Sequence, residues 1–143
     1  MRCFAGAAEL DAFLAETDIL VVLMPLTSAT RGILDRGLFR KLARNGVLGG
    51  PVLINAGRGG LQIENDILEC LDDGTLSAAT LDVFEAEPLP PSSRLWTHPR
   101  LTLTPHNAAD SDPDAISDDV AAQIQAFERG RSLKNVVDRA REY

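Results

Sequence analysis

The stretch VLINAGRGG, residues 52–60, opens as a short apolar run and breaks into a Gly-rich turn that carries Arg58. A run of this length bounded by turn residues reads as a buried strand. The same grammar recurs twice downstream. TLDVFEAEP (80–88) runs from a strand into Glu85 and Glu87, and LTLTPHNAA (101–109) runs from a strand into Pro105 and His106. Upstream, ILVVLM (19–24) is continuously apolar, as expected of a strand buried on both faces, and Pro25 ends it.

Helical patterns fill the gaps. Residues 7–16 place Leu10, Phe13 and Leu14 on one face, and residues 35–43 do the same with Leu38, Phe39 and Leu42. Residues 64–73 follow Ile63 with Ile67, Leu68 and Leu71 at helical spacing, and Gly74 stops them. Residues 87–99 hold four prolines and read as loop, in which Trp96 is expected to pack the loop against the sheet or to lie near the substrate, and His98 to be structural. A last long helix is opened by Asp112 as cap and Pro113 at its first position, and Gly130 closes it. Its stripe of Ile116, Val120, Ile124 and Phe127 is expected to be core or hinge packing. The acidic residues around its start favour the helix dipole and lack the Gly and terminal Glu of a calcium loop. Strands alternating with helices predict an α/β fold with a parallel sheet and right-handed crossovers.

Composition narrows the function classes. The 143 residues carry a net charge of −7, which argues against a phosphate-binding nucleic-acid surface. Cys3 and Cys70 stand far apart, with no disulfide framework or zinc spacing. The N-terminal residues have no signal-peptide core, and the longest apolar run is too short to span a bilayer. A soluble, cytoplasmic protein without membrane or nucleic-acid partners is the expectation.

In a parallel sheet the three strand-end groups share the carboxyl edge, where open α/β sheets bind ligands. An Arg there can grip a carboxylate with two hydrogen bonds, and a His can donate a proton to a carbonyl oxygen near neutral pH. A neighbouring carboxylate favours the charged imidazole. That combination suits reduction of a 2-keto acid, provided a cofactor brings the hydride.

The motifs INAGRGG, TLDVFEAEP and TPHNAA resemble three successive signatures of the D-2-hydroxyacid dehydrogenase family, and LMPLTSATRGIL resembles the family's cofactor-proximal segment. The loop LPPSSRLWTHPRLTLTPH and the ending NVVDRAREY resemble its glyoxylate/hydroxypyruvate reductase A branch. The resemblance implies Arg58 as binder of the substrate carboxylate, His106 as acid/base, and Glu87, favoured over Glu85, as its partner. It implies cofactor contacts at Pro25, Thr30, Asn55, Ala56, Asp82 and Ala108, with NADP or NAD as cofactor. A small 2-keto acid, glyoxylate or hydroxypyruvate, is the implied substrate, and a homodimer is the implied assembly of the full-length enzyme.

The implied fold is the second half of a doubly wound Rossmann-type sheet (residues 1–109), followed by a hinge helix and tail (110–143) returning to a substrate domain. GRGGLQ (57–62) is no dinucleotide fingerprint, because Gln62 stands where a third Gly is required. The fingerprint is expected upstream of Met1. The chain therefore reads as a truncated form, inactive alone. A non-catalytic remnant or interaction module of dehydrogenase ancestry is the alternative.

Overall fold

The computed structural model describes residues 2–140 and 142. They form two compact units, Met1–His106 and Asn107–Tyr143. The first unit is built on one sheet of four parallel strands in the order β1-β2-β3-β4: Ile19–Val22, Val52–Asn55, Ala78–Leu81 and Leu101–Leu103. Each strand stops where its apolar run meets a turn signal. Because all four run the same way, the ends that lead to Pro25, Arg58, Glu87 and His106 lie along one edge.

Three helices cover one face of this sheet: α1 (Leu10–Ala15), α2 (Arg36–Phe39) and α3 (Glu64–Asp72). Their apolar positions meet Leu20, Val22, Leu53, Ala79 and Leu81 in a single core with Leu14, Phe39, Ile67 and Leu71. Burying each such aliphatic or aromatic side chain contributes roughly 1.5–3 kcal/mol. α2 is shorter than its sequence pattern. Asp35 caps its start by accepting from the Leu38 amide at 2.7 Å. Beyond Phe39 the chain continues in i→i+3 bonds, Lys41 to Leu38 and Leu42 to Phe39, which still bring Leu42 into the core.

Two expectations are corrected here. The 19–24 run is not buried on both faces, nor does it extend past Val22. Leu20 and Val22 are buried while Ile19 and Val21 are about half exposed, so the strand alternates. The helices of the first unit lie on one face of the sheet, and a continuous apolar run cannot reveal which of its faces is covered. Trp96 does not pack into the sheet either. It is 55% exposed, within the short helical turn Arg94–Thr97, and its indole N–H donates to the Pro90 carbonyl at 2.9 Å.

The second unit contains α4 (Pro113–Glu128), with Pro113 in the first turn as expected. Asp112 caps it, its side chain accepting from the amides of Asp114 and Ala115. The expected packing of its stripe is not found: Ile116, Val120, Ile124 and Phe127 are all half or more exposed. Among the described residues no helix is long and apolar enough to cross a membrane.

Candidate active site

The carboxyl edge is laced by backbone hydrogen bonds that continue the ladder past the strands. Ala56 donates to Val22, Asp82 to Asn55 and Thr104 to Leu81, at 2.9–3.1 Å. These bonds carry the register of the sheet into the loops that hold the ionisable groups.

Arg58 follows β2 as the exposed residue of a largely buried turn, and one guanidinium nitrogen donates to the carbonyl of Gly57 at 2.8 Å. Among the described residues no carboxylate pairs with it, which leaves its remaining donors available to an anion. Gly59 explains how the turn sits so low. A Cβ there would lie 1.8 Å from the Phe84 carbonyl oxygen, so only glycine lets the Arg58 turn touch the loop after β3.

Glu87 and His106 meet as the sequence predicts, with His106 Nδ1 2.8 Å from Glu87 Oε2. An ionised carboxylate accepts, so Nδ1 carries the proton of this bond. The other Glu87 oxygen accepts from the Phe84 amide at 3.0 Å. The His106 hydrogen bond, followed by that amide, holds the Glu87 carboxyl below the ordinary glutamate range. His106 sits at φ 55°, a left-handed conformation unusual for a residue with a side chain and often found at functional sites. Glu85 is engaged elsewhere: it accepts from the Glu64 amide at the start of α3, and Glu64 accepts from the Glu85 amide.

The six sequence-predicted cofactor positions divide. Pro25 and Thr30 lie in the turn after β1, where the Thr30 hydroxyl donates to the Pro25 carbonyl at 2.9 Å. Ala56 begins the Arg58 turn. Asp82 is buried at the end of β3 and accepts from the Thr104 hydroxyl at 2.5 Å. Asn55 is wholly buried, with its amide committed to the Arg58 turn and to Gln62. Ala108 belongs to the second unit.

A cavity of about 360 Å³ opens beside the Glu87–His106 pair, walled by Phe84, Pro88, Leu89, Trp96, Leu103 and Pro105. Sequence reasoning did not anticipate it, since no local pattern shows that the loop 88–96 folds back over the strand ends. His98, expected to be structural, is largely buried: Nδ1 accepts from the Arg100 amide and Nε2 lies 3.2 Å from Asp72.

Residues 3–108 match the family model described as D-isomer specific 2-hydroxyacid dehydrogenase, NAD binding domain. The chain is 46% identical over 138 residues to glyoxylate/hydroxypyruvate reductase A of Serratia proteamaculans, covering 96% of this chain and 42% of that protein. A counterpart from Yersinia enterocolitica is 44% identical, with 98% and 43% covered. The chain thus spans less than half the length of the curated relatives it matches.

Among solved structures, an NADPH-dependent glyoxylate/hydroxypyruvate reductase from Sinorhizobium meliloti, in complex with NADP and sulfate, superposes with a TM-score of 0.93 at 57% identity. That match covers 97% of this chain and 44% of the other. A D-isomer specific 2-hydroxyacid dehydrogenase from Xanthobacter autotrophicus, in complex with NADPH and MES, gives 0.92 at 38% identity, covering 99% and 56%.

Proposed function

Because the chain belongs to the D-isomer specific 2-hydroxyacid dehydrogenase family, we propose that it supplies the catalytic edge of an NADPH-dependent reductase acting on a small 2-keto acid such as glyoxylate or hydroxypyruvate. The observation that carries this is the 2.8 Å bond between His106 and Glu87, formed on the same sheet edge as the exposed Arg58, with which no carboxylate among the described residues pairs. The relatives described with NADP or NADPH support the cofactor.

The residues present fit the nicotinamide end of such a cofactor. Asp82 is a buried carboxylate at the strand ends, and the Arg58 turn lies one strand away. When bound, the nicotinamide supplies hydride to the substrate carbonyl carbon. Arg58 grips the substrate carboxylate with two charge-assisted hydrogen bonds and draws electron density from the adjacent carbonyl. His106 presents Nε2 to the carbonyl oxygen and gives it a proton as the oxygen gains charge. Glu87 holds the Nδ1–H side of the ring, which keeps the imidazole oriented. The cavity beside the pair offers an apolar wall for the rest of the substrate.

The curated relatives are more than twice as long as the match, so we place this edge within a longer dimeric enzyme and expect the chain alone to be inactive. The test is loss of NADPH absorbance with glyoxylate. We expect no turnover from the 143 residues alone, and turnover once they replace the corresponding part of the Sinorhizobium relative. In that joined form His106→Asn should lower kcat by about 100- to 10,000-fold, and Arg58→Ala should mainly raise KM. A folded joined form without turnover would sink the assignment.

A further inference from the structure

Gln62 belongs to the loop after β2 and is 1% exposed. A buried amide must find partners for both its ends. Its oxygen accepts from Asn55 Nδ2 at 2.8 Å, and its nitrogen donates to the Val83 carbonyl at 3.0 Å. Asn55 in turn clasps the Arg58 turn: its oxygen accepts from the Gly57 amide at 3.0 Å and its nitrogen reaches the Arg58 carbonyl at 3.3 Å. On the other side, Val83 C=O and Phe84 N–H are the two ends of one planar peptide unit. Gln62 holds the oxygen end of that plane. Its nitrogen end donates to Glu87 at 3.0 Å, and Glu87 meets His106.

From this juxtaposition we infer that Gln62 is a positioning residue that locks the Arg58 turn to the Glu87–His106 pair through the Val83–Phe84 peptide. It rests on the roles proposed above for those three side chains. Rotating the peptide plane to release Gln62 swings the Phe84 N–H away from Glu87, so one side chain governs both the carboxylate grip and the orientation of the acid. An apolar residue at position 62 would fill the space yet leave the Val83 carbonyl and one Asn55 donor without their partner. The close contact of Gly59 with the Phe84 carbonyl presses the same two loops together, so the hydrogen bonds act across surfaces already in contact.

The inference is tested on the full 143-residue chain by NMR, with no substrate required. Glu87 faces two charged groups, His106 and Asp82, and its titration is read at the Phe84 amide. In the wild type, acidification through the Glu87 midpoint should move the Phe84 amide and the Gln62 and Asn55 side-chain amides together, leaving the exposed Gln125 amide still. In Gln62→Met the Glu87 midpoint should rise toward the ordinary glutamate value and the Gly57 amide should lose its hydrogen-bonded shift.

Leu68→Ala, which thins the core under α3 outside this path, should change neither reading. A folded Gln62→Met with an unaltered Glu87 midpoint and Gly57 amide overturns the inference. Should that variant fail to fold, the wild-type titration decides: a Gln62 amide that ignores the Glu87 midpoint overturns it equally. Absence of turnover in the joined enzyme bears on the proposed reaction alone, since neither measurement passes through substrate.

Discussion

Glu87 links the chemistry of the site to the stability of the fold. Its carboxyl is held below the ordinary value of 4.5, first by the His106 hydrogen bond and then by the Phe84 amide. An acid whose folded-state pKa is depressed contributes stability that is present above its unfolded pKa and is lost as pH falls through the lower folded value. The wild type should therefore lose Tm on acidification below about pH 4.5 more steeply than Glu87→Gln, in melts followed by circular dichroism. The pair is more than a third exposed, so the difference is modest. Equal slopes in the two proteins would show that the pair contributes nothing to the folded state. At this scale the placement of Arg58 and His106 was legible because each is an ionisable residue close behind a strand. Position alone left Glu85 and Glu87 equal, and only the motif's resemblance favoured Glu87. Gln62 was not legible. Read along the chain it is only the wrong residue for a dinucleotide turn, and its partners Asn55 and Val83 are revealed by tertiary contact alone.

Between elements, the decisive contact is between the β2–α3 and β3–β4 loops. They are joined at three heights: Gly59 against Phe84, Gln62 to Val83, and the reciprocal pair Glu64 and Glu85. Gly59→Ala should test the tightest of these. The atoms its Cβ would meet are backbone, the Phe84 carbonyl oxygen at 1.8 Å and carbon at 2.1 Å, so no side chain can swing aside. Overpacking of this kind costs about 1–3 kcal/mol, and we expect a matching fall in urea midpoint together with a displaced Phe84 amide resonance. Unchanged stability would mean that the two loops separate freely. Helix and strand order was readable because caps and stops are local: Asp35 and Asp112 cap α2 and α4 as their side chains allow, and Gly74 follows α3 at φ 78°. The alternation of β1 was hidden, because an unbroken apolar run looks the same whether one face or both are covered. The reciprocal use of Glu64 and Glu85 was equally invisible, since it joins residues 21 apart in sequence.

Across the whole molecule, order and burial do not coincide. The first unit buries its apolar residues in one core on one face of the sheet. α4, by contrast, is a well-capped helix of 16 residues that buries none of them. In proteins most helical stability comes from packing of an amphipathic face rather than from the helix itself. Hydrogen exchange of the isolated chain should therefore divide along the chain. Amides of β2, β3 and α3, such as those of Leu53, Ala79 and Leu71, should exchange only through global unfolding, while those of Val120 and Ile124 should exchange through local opening and vanish much sooner. The order should hold as protein concentration is varied. Slow exchange in α4 that appears only at higher concentration would mean that its stripe of Ile116, Val120, Ile124 and Phe127 is covered by association between copies. Slow exchange at every concentration would show that the stripe is already packed within the chain, contrary to the exposure found here.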